Sequence, residues 1–227
     1  VGELATFFNQ RFGIGVELIV VRAANWRRSQ WQDETGLPWV NPSPNLRDMD
    51  ATTLYTGTVL FEGTMLSEGR GTTRPFELIG APWLDGERLA ERMNRAGLAG
   101  VHFRPATFGP TFQKHARATC GGCQIHVTSR QEFASVKAGV SLMRECFGLA
   151  PDRFKWRDPP YEYEHDKMPI DILAGSPALR EQIERQRFRA APRQEAFERP
   201  ARGGQAAAHE RGEHCGCTGD RHDPASL

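Results

Sequence analysis

Residues 2–21 read GELATFFNQRFGIGVELIVV, a helical pattern followed directly by a β-branched run. Leu4, Phe7 and Phe8 stand at helical spacing and predict a helix with one apolar face. Residues 16–21 then have the composition of a short buried strand. A helix followed by such a strand favours an α/β layered unit. One such unit leaves its strand edges uncovered, so we expect partner strands upstream and a chain that begins inside a domain.

The next part of the chain, residues 36–84, is interrupted repeatedly by glycine and proline. Only two short strands fit between the interruptions, around residues 57–61 and 76–79. Ordered loops of this length are uncommon unless they carry function. We therefore expect the functional centre of the protein in residues 36–84.

From residue 85 onward the hydrophobic pattern becomes regular. Asp85 is placed to cap a helix that has Leu89 and Met93 on its apolar face. Residues 101–108 and 124–128 alternate between apolar and polar side chains and predict two strands.

Two more helices are predicted after these strands. Residues 129–132 read SRQE, a capping box that opens a helix with one apolar stripe, made of Phe133, Val136, Val140, Met143 and Phe147. The Ser-Pro pair at residues 176–177 opens a last helix, with Leu179 and Ile183 facing inward. Strands and helices in this arrangement indicate an α+β domain.

Composition limits the classes of function. The chain has 227 residues, 39% of them hydrophobic, and a formal net charge of +1. A net charge this small gives no overall electrostatic attraction to nucleic acid or to an anionic membrane surface. No apolar run approaches the roughly 18 residues of a membrane-spanning helix, and the first residues show no signal-peptide pattern.

The five cysteines, an odd number, do not describe a disulfide framework. Cys120 and Cys123 have the spacing of a redox or zinc motif, but the motif precedes a strand and not a helix. A second pair of zinc ligands would have to come from the tail, which contains His209, His214, Cys215 and Cys217. We interpret the motif as a structural turn, and the sequence implies neither a cofactor nor a metal.

The tail itself, residues 188–227, is rich in Ala, Arg, Gly, Pro and His. It has no apolar period that would form a core, so it is predicted to be disordered.

Four motifs in residues 39–83 carry a resemblance to a known family. They are WVNPSPNL at 39–46, LFEGT at 60–64, LSEGRGTTRPF at 66–76 and GAPW at 80–83. Together they are similar to the signature of the NamZ-type exo-β-N-acetylmuramidases, and the resemblance covers roughly residues 1–186. Met65 departs from the pattern, because the family usually has Asn there, and the tail departs as well.

The resemblance implies a Rossmann-like N-terminal domain and an α+β C-terminal domain with a cleft between them. Residues 1–50 would be the end of the Rossmann-like domain, without its N-terminal part, and residues 51–187 the α+β domain with the site loop. The predicted fold class is therefore α/β plus α+β. The family's enzymes release terminal N-acetylmuramic acid from peptidoglycan fragments and are usually exported, which implies a periplasmic or secreted location.

Glu62 and Glu68 are the candidate catalytic residues. Glycoside hydrolysis usually needs two carboxyl groups beside the scissile bond. Each of these glutamates precedes a glycine, which we interpret as leaving room for a sugar near the backbone. Six residues apart in a loop, they could converge or point apart. The alternatives are that one of them caps a helix or pairs with an arginine, and that carboxylates outside this chain do the chemistry.

Arg70 and Arg74 are candidates for binding the lactyl carboxylate of N-acetylmuramic acid. A planar guanidinium matches a carboxylate with two hydrogen bonds, which an ammonium cannot do. An ion pair with Glu68 or Glu77 explains the two arginines equally well.

The remaining candidates are sugar contacts. Ser43 and Asn45 could bind hydroxyl or acetamido groups, although turn formation beside the neighbouring prolines also explains them. His126 lies on the strand face opposite Ile125 and is either a cleft residue or a structural histidine. Aromatic rings stack on sugars but are more often core, and this applies to Trp26, Trp31 and Trp39.

Hydrolysis of a terminal N-acetylmuramic acid linkage is thus the leading function, with muramyl glycans as the partners. A non-catalytic carbohydrate-binding fragment is the alternative from a different class, and a product with an incomplete core is a third. A nucleotide-binding oxidoreductase is disfavoured, because Gly69 and Gly71 lack the third glycine of the dinucleotide fingerprint. The anomeric outcome, the activity of this chain and its oligomeric state stay open.

Overall fold

The computed structural model describes residues 1–190, with side chains as far as residue 185. The helices and strands follow in the order α1 Gly2–Arg11, α2 Met49–Thr58, β1 Leu78–Ala81, α3 Gly86–Arg95, β2 Val101–Phe108, β3 Cys120–Val127, α4 Ser135–Leu149, α5 Pro169–Ala174 and α6 Ala178–Ala190. Short 3₁₀ helices occupy Gln32–Glu34 and Val59–Gly63. Beyond residue 190, the predicted disordered tail and its cysteines and histidines lie outside the described residues.

The strands form an antiparallel sheet in the order β1-β3-β2. Phe103 of β2 pairs with Ile125 of β3, and Leu78 of β1 pairs with Gln124. The strand predictions for 101–108 and 124–128 are confirmed, and β1 overlaps the strand predicted at 76–79. Strand β1 is buried along its whole length and β3 along most of it, whereas β2 is mostly exposed or half-buried.

Helix α3 packs on β2 and β3, and α4 packs against α2 and α3. The Asp85 carboxylate accepts a hydrogen bond from the amide of Arg88, so the predicted cap of α3 is confirmed. Leu89 and Met93 are fully buried against the sheet, as predicted. Ile183 of α6 is buried in the same core, which confirms the inward face of the last helix.

The predicted strand at residues 57–61 is wrong, because these residues end α2 and begin the following 3₁₀ helix. The Asp48 carboxylate caps α2 by accepting from the amide of Ala51. Gly57 lies inside α2 where that helix crosses α4, and a Cβ there would be 2.0 Å from the carbonyl oxygen of Ser135. Glycine at position 57 therefore allows α2 and α4 to pack closely and does not form a turn.

The capping box predicted at residues 129–132 is also wrong, because α4 begins at Ser135. The amides of Thr128 and Ser129 donate to the carbonyl of Gly100 instead. A Cβ on Gly100 would be 2.4 Å from the Ser129 oxygen, so this segment packs directly on the turn before β2. The helix starts only after that contact, and Val136 of the predicted apolar stripe is exposed.

The N-terminal segment forms only half of the predicted α/β unit. Helix α1 is present, but residues 16–21 pair with no strand of the described part of the chain. Their side chains are exposed, with Ile19 at 79% and Val21 at 90%. A strand needs a neighbouring edge, and residues 16–21 pair with neither outer edge of the sheet, that of β1 or that of β2. The structure therefore shows a mixed α/β fold with an antiparallel sheet, and the division at residue 50 stays a prediction.

Over residues 1–190, no helix combines the length and the apolar character needed to cross a bilayer.

We predict that Gly57→Ala destabilises the fold by about 2 kcal/mol, because the new methyl group would overlap backbone atoms of α4. Gly148→Ala is the matched control, since a Cβ on this exposed glycine of α4 would meet only the end of Arg92, at 3.8 Å. The control should be neutral or stabilising, because alanine favours helix over glycine. Urea unfolding followed by circular dichroism measures both. Equal stability of Gly57→Ala and the parent would contradict the packing argument.

Candidate active site

The segment that carries Glu62 and Glu68 is held by backbone hydrogen bonds along its length. Ser67 and Gly80 exchange two bonds, of 2.8 and 3.0 Å. The amide of Arg157 donates to the carbonyl of Gly63 at 2.9 Å. The segment is thus fixed on one side to β1 and on the other to the chain that precedes α5.

The glycines after the two glutamates have a structural explanation. A Cβ on Gly63 would be 2.7 Å from the backbone of Ile170, so α5 fills that space. Gly69 has a φ of +77° and would place a Cβ 2.7 Å from the carbonyl oxygen of Arg74. Backbone packing and a left-handed conformation therefore require glycine at these positions. The sequence interpretation, room for a sugar, is wrong for Gly63.

The two glutamates converge on one arginine. Arg70 donates from Nη2 to Glu62 Oε1 at 2.5 Å, and its Nε lies 3.3 Å from Glu68 Oε1. Both carboxylates are buried. The ion pair that was an alternative explanation for Arg70 is therefore present, and it joins both candidate catalytic residues into one cluster.

Two further residues complete this cluster, and the sequence did not reveal either of them. Lys114 Nζ donates to Glu68 Oε2 at 2.8 Å, and the hydroxyl of Tyr161 donates to Glu62 Oε2 at 2.7 Å. Lys114 lies 46 residues from Glu68 along the chain, and Tyr161 lies 99 residues from Glu62. Pairs so distant leave no local pattern in one sequence.

The surroundings of the two carboxylates differ. Glu68 contacts two cations, and its side chain is only 3% exposed. Glu62 contacts one cation and a neutral phenol, and its side chain is 12% exposed. Of the two glutamates, Glu62 is therefore the more accessible to a ligand, whereas Glu68 neutralises the charges of Arg70 and Lys114.

Burial changes the protonation of the partners. It lowers the pKa of Lys114, an effect that the charge of Glu68 opposes. Burial also raises the pKa of Tyr161, and the hydrogen bond and charge of Glu62 raise it further. The phenol of Tyr161 thus keeps its proton and stays a donor to Glu62 over the ordinary pH range.

Arg74 belongs to a different network. Its Nη1 lies 3.3 Å from Glu77 Oε2, which is the ion pair considered as the alternative for this arginine. Glu77 is almost fully buried and also accepts from Arg47 at 2.8 Å and from Gln124 at 3.2 Å. Arg104 in turn donates to Gln124 at 2.6 Å. No ion pair or hydrogen bond joins this network to Glu62 or Glu68 in the described residues.

The other candidate contacts lie apart from the carboxylates. Ser43 accepts a backbone bond from Leu46 in a turn, which is the structural explanation considered for it, and Asn45 lies in the same turn. Trp26 is exposed, with a guanidinium over its ring. His126 is exposed on β3 opposite a second histidine of β2. In the described part of the chain, no hydrogen bond or ion pair connects any of the four to the pair of glutamates.

A groove of about 990 Å³ lies between residues 31–42, α2 and the start of α4. Trp31 and Trp39 line it, and the guanidinium of Arg130 stacks over Trp31 at 5.5 Å. Threonine side chains of α2 form another wall, with Thr52 among them. The groove combines aromatic faces with hydroxyl groups in a lining that is mainly apolar.

The cysteine motif is part of β3 and not a turn, so that interpretation was wrong. Cys120 and Cys123 are buried in the strand, and burial raises the pKa of the Cys123 thiol to about 12. The glycines between them allow close packing, since a Cβ on Gly122 would be 2.0 Å from the carbonyl oxygen of Ile79.

We predict that Tyr161→Phe removes a phenol that ionises above the ordinary tyrosine pKa of about 10. A pKa raised in the folded state gives stability that is complete below pH 10 and is lost as the pH rises through the folded pKa. Absorbance at 295 nm should therefore lose a late-titrating component, and the alkaline fall in unfolding free energy should become less steep. Tyr163→Phe, which removes a 96% exposed ring, is the control. Loss of a component near pH 10 from Tyr161→Phe would contradict the prediction.

Comparisons with known proteins agree with the sequence resemblance. The family model described as Exo-beta-N-acetylmuramidase NamZ, C-terminal, matches residues 53–199, and the corresponding N-terminal model matches residues 1–50. The peptidoglycan beta-N-acetylmuramidase NamZ of Bacillus subtilis (strain 168) is 44% identical over 184 residues. That alignment covers 81% of this chain and 42% of the relative.

Two solved structures of DUF1343 family proteins from Bacteroides fragilis NCTC 9343 are similar in fold. The first has a TM-score of 0.70 at 27% identity and covers 83% of this chain and 50% of that chain. The second has a TM-score of 0.53 at 22% identity, with 82% and 47% covered, and shows the fold alone. The chain thus spans about half the length of these proteins or less. Because the C-terminal family model matches more than half of its residues, the chain belongs to the exo-β-N-acetylmuramidase NamZ family.

Proposed function

We propose that this chain carries part of the active site of an exo-acting β-N-acetylmuramidase that releases terminal N-acetylmuramic acid from peptidoglycan fragments. The observation that supports this most directly is the meeting of Glu62 and Glu68 at Arg70, within the region matched by the C-terminal family model. A relative with the printed name of a peptidoglycan beta-N-acetylmuramidase is 44% identical across the same region.

The proposed chemistry gives the two carboxylates different roles. Glycoside hydrolysis needs a carboxyl group that exchanges a proton with the glycosidic oxygen and a second that stabilises or attacks the anomeric carbon. Glu62 is the proposed proton-exchanging group, because it is the more exposed and contacts one cation, whereas Glu68 contacts two. Glu68 is the candidate for the second role. Whether or not it has that role, it pairs with Arg70 and Lys114 and so holds Arg70 in place.

Substrate recognition is proposed to involve the arginines near the site. Arg70 already contacts two carboxylates, so it orients Glu62 in the absence of substrate. Arg74 is 46% exposed and shares its partner Glu77 with Arg47. We therefore assign the lactyl carboxylate to Arg74 in preference to Arg70. Sugar contacts from Trp26, Ser43, Asn45 and His126 stay predictions.

The proposal includes the domain context. Residues 1–50 are assigned to the end of a Rossmann-like domain, and residues 51–187 to the α+β domain. The exposed apolar side chains of α1 and residues 16–21 support this assignment, because a surface of this kind normally lies inside a domain. A periplasmic or secreted location is proposed with it, since peptidoglycan is found there.

The test is release of 4-nitrophenol from 4-nitrophenyl β-N-acetylmuramide by the parent, Glu62→Gln and Glu68→Gln. We expect Glu62→Gln to lower kcat by about 10³-fold, the usual worth of a general acid, with the fold kept. Glu68→Gln should also lower stability, by about 3 kcal/mol, because it leaves two cations without their buried partner.

Glu132→Gln, at an exposed position before α4, is the control and should match the parent in both measurements. Full activity of Glu62→Gln would remove this residue from the mechanism. A parent that binds N-acetylmuramic acid without turnover would favour the alternative function.

That alternative, a carbohydrate-binding unit without catalysis, is favoured by one observation. The groove lined by Trp31 and Trp39 has room for a sugar, whereas every oxygen of Glu62 and Glu68 already has a partner within the protein. Binding in this groove needs neither carboxylate.

For this alternative we predict that Trp39→Ala weakens binding of N-acetylmuramic acid at least about tenfold, through loss of ring stacking. Isothermal titration calorimetry measures the change. Trp26→Ala, which removes an exposed ring that does not line the groove, is the control. Equal binding by parent and Trp39→Ala would exclude the groove as the sugar site.

A further inference from the structure

The loop between β2 and β3, residues 109–119, holds the segment that carries the two glutamates. The amide and hydroxyl of Thr111 both donate to the carbonyl of Gly71 at 2.9 Å. The ring nitrogen Nε2 of His115 lies 2.7 Å from the carbonyl oxygen of Met65. The acceptors of these bonds lie in the segment that carries the two carboxylates. The loop therefore packs on residues 61–71 and is hydrogen-bonded to them.

The conformation of this loop is costly for its residues. Gln113, His115 and Arg117 have φ values of 68°, 57° and 66°. These values lie in the left-handed region that residues other than glycine rarely adopt. Such backbone persists only where the surrounding structure imposes it, and it is concentrated at functional sites. Gln113 and His115 flank Lys114, whose side chain is only 10% exposed.

Lys114 uses its whole donor capacity inside the protein. An ammonium group has three protons, and Nζ donates to Phe61 O at 2.8 Å, Leu66 O at 3.1 Å and Glu68 Oε2 at 2.8 Å. Phe61 directly precedes Glu62, and Leu66 stands two residues before Glu68. One side chain therefore sets the position of the backbone at both candidate carboxylates.

We propose that Lys114 is a positioning residue of this site: its ammonium joins two backbone carbonyls to Glu68 and fixes where Glu62 and Glu68 stand relative to each other. The inference rests on the proposed function of these glutamates. Lys114 acts through them, because its three donors are already used and none is left for a substrate.

A purely structural role makes a different prediction. If Lys114 only stabilised the fold, its loss would loosen all elements together, and any fall in activity would follow the fraction unfolded. A positioning role loosens residues 61–71 selectively and lowers kcat in protein that is still folded. Hydrogen exchange separates the two, because the amides of Met65 and Ser67 are bonded to Lys155 and Gly80 and report on this segment.

The experiment compares hydrogen exchange by mass spectrometry in the parent, Lys114→Met and Lys114→Arg. In Lys114→Met we expect exchange in peptides covering residues 61–71 to rise at least about tenfold, with peptides of α4 changed less than about threefold. Lys114→Arg retains a cation that can donate to carbonyls, so it should recover a large part of the protection. Lys137→Met, at an exposed lysine of α4, is the control and should leave residues 61–71 unchanged.

Turnover of the chromogenic substrate provides the second measurement. Lys114→Met should lower kcat at least about tenfold with KM within about threefold, because binding groups stay while the carboxylates shift. Uniform acceleration of exchange across α3, α4 and residues 61–71, or no acceleration, would overturn the positioning role. A parent without turnover would count against catalysis by this chain and not against the role of Lys114, which the exchange measurement would still decide. If Lys114→Met does not fold, the protection that Lys114→Arg fails to recover decides the question: a loss confined to residues 61–71 supports positioning, and a loss shared equally with α3 and α4, or no loss, overturns it.

Discussion

The burial of two carboxylates side by side is the constraint on which the rest of this structure depends. Removing Glu62 and Glu68 from water is unfavourable unless cations and hydrogen-bond donors replace the solvent. The replacement comes from three separate parts of the chain: Arg70 from the same loop, Lys114 from the β2–β3 loop and Tyr161 from the segment before α5. The elements that deliver these groups must therefore be in place before the pair is stable.

The sequence predicted elements whose signals are local and missed those set by distant contacts. Asp85 revealed the start of α3 because a cap acts within one turn. The strand predicted at 57–61 was wrong, because the role of Gly57 in helix packing depends on α4, which lies far along the chain. The buried strand predicted at residues 16–21 was wrong for a related reason. A β-branched run has a high strand propensity, but it forms a strand only where it can pair with the edge of another strand.

The same distinction applies to the site. The motifs at 60–64 and 66–76 led to Glu62, Glu68 and Arg70, and the structure joins these three in one cluster. Lys114 could not be found in this way, because a lysine in a loop is ordinarily exposed. Its importance follows only from the acceptors that surround it, at Phe61, Leu66 and Glu68.

Charge balance supports the proposed division of roles between Arg70 and Arg74. In the carboxylate cluster, two anions face two cations, so an incoming substrate carboxylate would meet no unmatched positive charge there. Around Glu77, the cations Arg47 and Arg74 face this glutamate, while Arg47 also contacts the partly exposed Asp48. Arg104 adds a further guanidinium through Gln124, so cations outnumber anions in that network. An acidic substituent on a sugar would therefore be attracted to the Arg74 side, which leaves Arg70 to hold Glu62 in place.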